Sequence, residues 1–504
     1  MARMRIATAL AALLAFGIAE AAAQNPVARG GRTFPVPHTG AGIARPLAEV
    51  AISGASPFPT SCGLSGGVLY RGAEVEPWLV VDPRNERHWI AVWQQDRWSN
   101  GSSRGLVTAV TFDAGATWTR VSPRFTVCEG GPYDRASDPW VDISPDGTAW
   151  QIALASTGGS FTTGSVNAML VSRSSDGGLT WSDPVELIRD VGSTFFNDKE
   201  TLTADPFDAR YVYAVWDRLR GNEGGPTVFT RTTDGGSTWE AARAIYDPGP
   251  GEQTIGNLIR VLPDGTLVNL FTHIRGDIGD DDDKAEPEPT LEVLRSTDRG
   301  ATWSGPFVVA SYEPAGARDP FTHVPIRDGT PIASMAVGPD GRLYVAWQDA
   351  RISPDPQRDD ILLARSADGG LTWSTPIRVN GAPGKSAFAT QVHVAANGTI
   401  GVTYFDLRSD SIDPGTLLAD YWLAHSRDGI EWTEVHVAGP LDLLSAPFAG
   451  GYFLGDYMGL ASAGGAFLAL HARTTGDVAN PTDVFVSRVP TDAAGAVYRG
   501  DEAP

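Results

Sequence analysis

Cysteine is nearly absent. Cys62 and Cys128 are the only two in 504 residues. That excludes a framework of several disulfides and a cysteine-rich zinc cluster. The eight histidines show no His-x-x-x-His spacing, which removes the helical zinc pair. There is no Gly-x-Ser-x-Gly elbow and no phosphate-cradling glycine loop. Positive charge is short as well: Lys and Arg total 39 against 60 Asp and Glu, a net charge of −21. A surface of that sign does not attract nucleic acid or an anionic membrane, although it leaves room for a local basic pocket. Past the first two dozen residues no apolar run is long enough to span a bilayer.

The beginning of the chain reads as an export leader. Arg3 and Arg5 precede an apolar stretch from Ile6 to Ala19, and Ala21, Ala22 and Ala23 offer small residues for cleavage. Residues 1–23 are therefore assigned to a signal peptide, 24–48 to a flexible N-terminal segment and 491–504 to a C-terminal tail. A secreted or periplasmic monomer without a membrane anchor is expected. Export permits a disulfide between Cys62 and Cys128, with two buried thiols as the alternative.

The abundant residues are Gly (57), Pro (36) and Trp (15), a mixture that suits short strands joined by tight turns. One motif recurs, Ser/Thr-x-Asp-x-Gly-x-Thr-Trp. It runs from Thr111 to Trp118, Ser174 to Trp181, Thr232 to Trp239, Ser296 to Trp303 and Ser366 to Trp373, with a shortened copy from Ser426 to Trp432. Its Trp residues are 63, 58, 64, 70 and 59 apart, a period that marks a repeat architecture. In each copy the Asp accepts from turn amides, Gly permits positive φ and Trp buries a large surface. A second series of turns alternates with the first: Asp82-Pro83, Pro145-Asp146-Gly147, Asp205-Pro206, Pro263-Asp264-Gly265, Pro339-Asp340-Gly341, Asn397-Gly398 and Gly464-Gly465. Apolar runs flank most of them and read as buried strands. Each unit resolves into four strands, and four-stranded units repeated radially make a propeller. The fold expected for residues 49–490 is thus all-β, a seven-bladed β-propeller of four-stranded antiparallel blades, with six blades as the runner-up. The last unit lacks the motif, and Glu49 to Ile52 is expected to supply its fourth strand.

These motifs resemble the Asp boxes, or BNR repeats, of the sialidase (neuraminidase) superfamily. The resemblance spans roughly residues 74 to 490 and implies that Asp113, Asp176, Asp234, Asp298, Asp368 and Asp428 are structural, on rim turns away from the ligand face. The Arg-Ile-Pro motif that opens sialidase catalytic domains has no good match here.

Second strands repeatedly exit into an acid or His followed by Arg: Asp96-Arg97, Asp217-Arg218, His273-Ile-Arg275, Asp349-Ala-Arg351, Asp406-Leu-Arg408 and His471-Ala-Arg473. One reading is a ring of substrate-binding arginines, since guanidinium forks match planar oxyanions. The other is repeated ion pairs that brace neighbouring blades. Polar residues also precede the first strands: Glu74 and Glu76 before Trp78, Asp138 before Trp140, the run Asn197-Asp198-Lys199-Glu200, and Asp456-Tyr457. The resemblance implies Tyr457 as nucleophile with Glu200 as its base, and Asp96 or Asp138 as acid/base. A carboxylate pair drawn from Asp198, Glu200 and Asp456 implies ordinary glycoside hydrolysis. No metal site and no cofactor are expected. The acidic loop of Asp277 and Asp280 to Asp283 lacks EF-hand spacing and is read as solvated, with structural calcium as the alternative. The function expected is a secreted sialidase-like glycoside hydrolase acting on a terminal acidic sugar of a glycan. The rivals are a non-catalytic glycan- or protein-binding propeller and a polysaccharide lyase.

Overall fold

A computed structural model describes residues 48–63, 66–275, 289–411 and 413–501. The expected leader, nearly all of the N-terminal segment and the acidic loop at Asp277–Asp283 lie outside the described residues. Within them the chain is all-β, with single 3-10 turns at Val127–Glu129, Gly221–Glu223 and Leu443–Ser445.

Apart from a short parallel pair, Ile326–Arg327 with Tyr452–Phe453, the strands form antiparallel units, mostly four-stranded, in chain order. The first unit comprises Leu69–Val81, Trp89–Trp98, Ser103–Thr111 and Thr119–Val121. The second begins at Arg135–Ile143 and ends at Val185–Val191; the single pairing of Ser103 with Ala136 joins it to the first. The next three begin at Phe196–Ala204, Gln253–Val261 and Ser334–Val337. The sixth begins at Ala387–Val394, and residues placed in the expected C-terminal tail alter it: Ala496–Arg499 pairs with Glu431–Asp442 as a fifth strand. The seventh runs Gly459–Ala463, Ala466–Asp477 and Asn480–Pro490, and Ala48–Ala51 pairs with Asn480–Pro490 as its outermost strand. One sheet is therefore made from residues more than 400 positions apart.

First strands touch one another in sequence, and Gly459–Ala463 touches Leu69–Val81. Their side chains join the sheets: Thr201 and Thr203 donate to the carbonyls of Asn257 and Ile259, both at 2.8 Å. Second strands are largely buried, and Trp89–Trp98 is so along its whole length, which explains their near-continuous apolar runs. Fourth strands such as Val185–Val191 are largely exposed and form the outer edge.

Every Asp box lies between a third and a fourth strand. Asp113 Oδ1 accepts from Thr111 Oγ1 at 2.7 Å and from the Thr117 amide at 2.9 Å, and Oδ2 accepts from Thr117 Oγ1 at 2.6 Å. Asp176, Asp234, Asp298 and Asp368 repeat this pattern. In the shortened copy, Asp428 accepts from Ser426 and from the amides of Ile430 and Glu431. These bonds favour the ionised form and hold Asp113 at about 2. Gly115 has φ 87°, and a Cβ there would meet the Trp89 ring at 2.7 Å, so the box needs glycine twice over.

The box tryptophans depart from expectation. Trp118, Trp181, Trp239, Trp303 and Trp373 are half-buried, each lying over the outer part of a sheet, and only Trp432 is fully enclosed. The fifth strand at Ala496–Arg499 covers it, with Trp432 paired to Tyr498. Trp432→Ala is expected to cost about 3–5 kcal/mol and Trp373→Ala clearly less, as read by thermal melting of both variants.

Candidate active site

A repeated backbone irregularity creates the site. Register shifts interrupt the first strands between Val75 and Trp78, Ser137 and Trp140, Asp198 and Thr201, Ile255 and Leu258, and Phe388 and Gln391. Each bulge holds one residue in the left-handed region: Glu76 at φ 53°, Asp138 at 50°, Lys199 at 52°, Gly256 at 72° and Ala389 at 51°. A bulge re-aims the side chain it carries. In the first three sheets that side chain is charged and converges with the others. Just beyond the bulges, Trp78 and Trp140 stack at 3.5 Å and Tyr457 packs edge-on to both.

Lys199 Nζ donates to Asp456 at 2.6 Å and to Asp138 at 2.8 Å, and lies 3.5 Å from Glu76. Arg327, from the segment between the fourth and fifth sheets, grips Asp456 with Nε at 2.9 Å and Nη2 at 2.5 Å. Glu76 also accepts from Gln94 Nε2. Arg97 Nη1 donates to the same glutamine at 2.6 Å, while its buried Nε has no partner. The guanidinium groups of Arg97 and Arg327 both lie over the Phe453 ring, at 4.8 and 4.5 Å from its centroid.

A cavity of about 240 Å³ opens onto this cluster. Arg97, Arg135, Arg327, Lys199, Asp138 and Asp198 supply its charged wall, with Phe196 and small residues including Ser102, Ser156 and Gly159 elsewhere in the lining. Arg135 is held by the carbonyls of Gly66 at 2.5 Å and Gly101 at 2.7 Å and by Asn100 Oδ1 at 2.9 Å. Burial, reinforced by Asp138, pushes Asp198 up to about 7. Burial and the nearby carboxylates lift Glu76 to about 8, against the pull of Lys199. Glu200 is pushed well above the carboxylate range by burial and by Asp138. Asp456 goes the other way: despite burial, Arg327 and Lys199 hold it far below that range. The cavity thus offers a carboxylate ion-paired to lysine beside a carboxyl that keeps its proton near neutrality.

The structure divides the sequence-predicted residues. Of the six arginines, only Arg97 lines the cavity. The others end on carboxylates elsewhere: Arg218 on Asp190, Arg275 on Glu292, Arg351 on Asp349, Arg408 on Asp406 and Glu434, and Arg473 on Glu49. The substrate-binding ring is corrected accordingly, because five of its members brace strands. Asp96 is also corrected as an acid/base candidate. It is fully buried outside the cavity, accepting from Ser56 at 2.7 Å, the Gly72 amide at 2.8 Å and Arg104 at 3.1 Å. The Tyr457–Glu200 pair does not form: Tyr457 donates to the Pro139 carbonyl at 3.1 Å, and both Glu200 oxygens are buried without a partner. Asp138 alone of the four proposed catalytic residues lines the cavity. Cys62 and Cys128 are joined, and Arg104 donates to the Cys62 carbonyl at 2.8 Å. Sequence reasoning missed Arg135 and Arg327. Arg135 stands three residues before Asp138, where the polar approach to a first strand was a usable signal; Arg327 sits in an insertion with no counterpart in the repeat.

No protein-family profile matches the chain. A xyloglucanase from Paenibacillus is 25% identical over an alignment of 318 positions that covers 57% of this chain; the chain spans 27% of that relative's length. Among solved structures, an α-L-arabinanase from Penicillium chrysogenum aligns with 89% of this chain and 99% of its own, at 13% identity and TM-score 0.46. A Hadza microbial sialidase aligns with 66% of this chain and 64% of its own, at 18% identity and TM-score 0.42.

Between about pH 4 and about 7 folded Asp198 retains a proton that the unfolded chain has released. Its contribution to stability therefore falls as pH rises through that window. Asp198→Asn is expected to melt several degrees above the unsubstituted protein at pH 8 and to lose that advantage at pH 4, as read by calorimetry.

Proposed function

We propose that the chain is an exported glycoside hydrolase, built as a closed seven-bladed propeller, that removes a terminal sugar bearing an acidic group. The meeting of Asp138 and Asp198 in one cavity, under a buried guanidinium with a spare donor, carries this reading. Closure is supported by the unbroken succession of first strands and by the N-terminal strand on the seventh sheet. Export is supported by the leader-like start and by the Cys62–Cys128 bond.

In this proposal Asp198 gives its proton to the glycosidic oxygen as the bond to the anomeric carbon breaks. Asp138 accepts a proton from the water that adds to that carbon. Proton transfer by positioned groups of this kind contributes about 10²–10⁴ in rate. Arg97, with Arg135 and Arg327 nearby, receives the acidic group, for which a fork of donors in a water-poor wall is suited. A cavity of about 240 Å³ suits one sugar ring, so cleavage takes place at a chain end. Tyr457 takes no part in the chemistry, because the Pro139 carbonyl and the two tryptophans occupy its surroundings.

Fluorogenic glycosides of carboxylate-bearing and neutral sugars test the reading. Release from an acidic sugar is expected, with turnover falling as pH rises through about 7 and Asp198 loses its proton. Asp198→Asn is expected to lower kcat by about 10²–10⁴. Arg97→Met is expected to weaken binding of the acidic substrate by about 10- to 100-fold, the worth of a hydrogen bond to a charged group, whereas Arg351→Ala lowers the melting temperature and leaves binding unchanged. Folded protein that binds an acidic sugar without releasing product would transfer the site to a sugar-binding propeller.

A further inference from the structure

Glu76, Asp138 and Asp456 bring carboxylate oxygens within 4.8 Å of one another, and all three residues are buried. Converging oxygens of this kind suit a hard cation. The place is already taken by Lys199 Nζ, at 2.6, 2.8 and 3.5 Å from Asp456, Asp138 and Glu76. An ammonium has three donors, one for each carboxylate, and is compact enough to stand between them; the planar guanidinium fork is not. The choice is notable in a chain whose 39 basic residues include just three lysines, Lys199, Lys284 and Lys385. Lys199 reaches the spot from a left-handed backbone at φ 52°, a conformation disfavoured for any residue that carries a Cβ.

The three carboxylates depend on that ammonium unequally. Asp456 has Arg327 as a second cation, and Glu76 has Gln94. Asp138 receives its hydrogen bond from Lys199, and it is the one of the three that lines the cavity. We infer that Lys199 is a positioning residue, a cation tethered to the chain where a divalent ion would otherwise sit, which fixes the Asp138 carboxylate against the cavity wall. The consequence for turnover rests on the hydrolase reading; the occupancy of the cation position does not.

The test uses the full chain with Lys199→Ala. Removing the tether leaves three close carboxyl groups, of which Glu76 gives up its proton to an arriving cation, so the variant is expected to bind one Mn²⁺ per chain by electron paramagnetic resonance, while the unsubstituted protein binds none there. Turnover is expected to fall about 100-fold, the effect of losing the alignment of a reacting group, with KM little changed and part of kcat restored by Mn²⁺. Identical Mn²⁺ behaviour in the two folded proteins would overturn the inference. If the variant does not fold, ¹⁵N-lysine labelling answers on the unsubstituted chain. One of three ammonium signals is expected to exchange its protons slowly and to shift in Asp138→Asn; three fast-exchanging signals would overturn the inference. Neither the Mn²⁺ nor the resonance measurement needs turnover. Protein that meets both expectations yet releases no sugar would remove the hydrolase reading and leave the cation assignment standing.

Discussion

The constraint on which this structure turns is the extra residue in each of five first strands. A regular strand would alternate its side chains between the two faces of its sheet. The bulge breaks that alternation at one point and presents a side chain to the space shared with neighbouring sheets. Three successive sheets spend it on Glu76, Asp138 and Lys199, although a non-glycine residue in the left-handed region is disfavoured. Where no charge is placed, the same position is Gly256 or Ala389, small residues that leave the space clear.

The charges so gathered are poorly solvated and must balance among themselves. Five carboxyls, Glu76, Asp138, Asp198, Glu200 and Asp456, face Lys199, Arg97 and Arg327. Buried ion pairs offset their desolvation only when geometry is good and hydrogen bonds are complete. Asp456 meets that condition through two cations. Glu200 meets it least, with both oxygens unpartnered, and it responds by holding a proton. Asp198 is intermediate, which is why it remains protonated up to about neutrality. The raised Asp198 and Glu200 and the lowered Asp456 thus follow from an uneven supply of cations rather than from any local sequence motif.

Around this centre the repeated elements serve a different purpose. Asp boxes fasten the outer turns through their own backbone, and acid–arginine pairs fasten second strands to their neighbours. Arg218 with Asp190 and Arg275 with Glu292 are the clearest examples. Recurrence at one repeat position is what a bracing role requires, because every sheet has the same edge to secure. A binding role requires instead that the repeat be broken, as it is where Arg97 donates to Gln94 and leaves Asp96 to Arg104.

The sequence alone determined the strand content, the four-strand period and the placement of Asp boxes, because these depend on residues close together in the chain: a turn of eight residues and the hairpin beside it. It also located the polar approaches to the first strands, at Glu76, Asp138, Asp198, Lys199, Glu200 and Asp456, since charges beside buried aromatic runs stand out in one dimension. It did not reveal which of them meet, or that five arginines find acids while Arg135 and Arg327 enter the cavity. Nor did it show that Tyr457 turns to Pro139 instead of Glu200. Those outcomes were decided by tertiary structure, because they depend on distances between sheets tens to hundreds of residues apart, and a shift of one residue at a bulge decides whether a side chain points into the cavity or away from it.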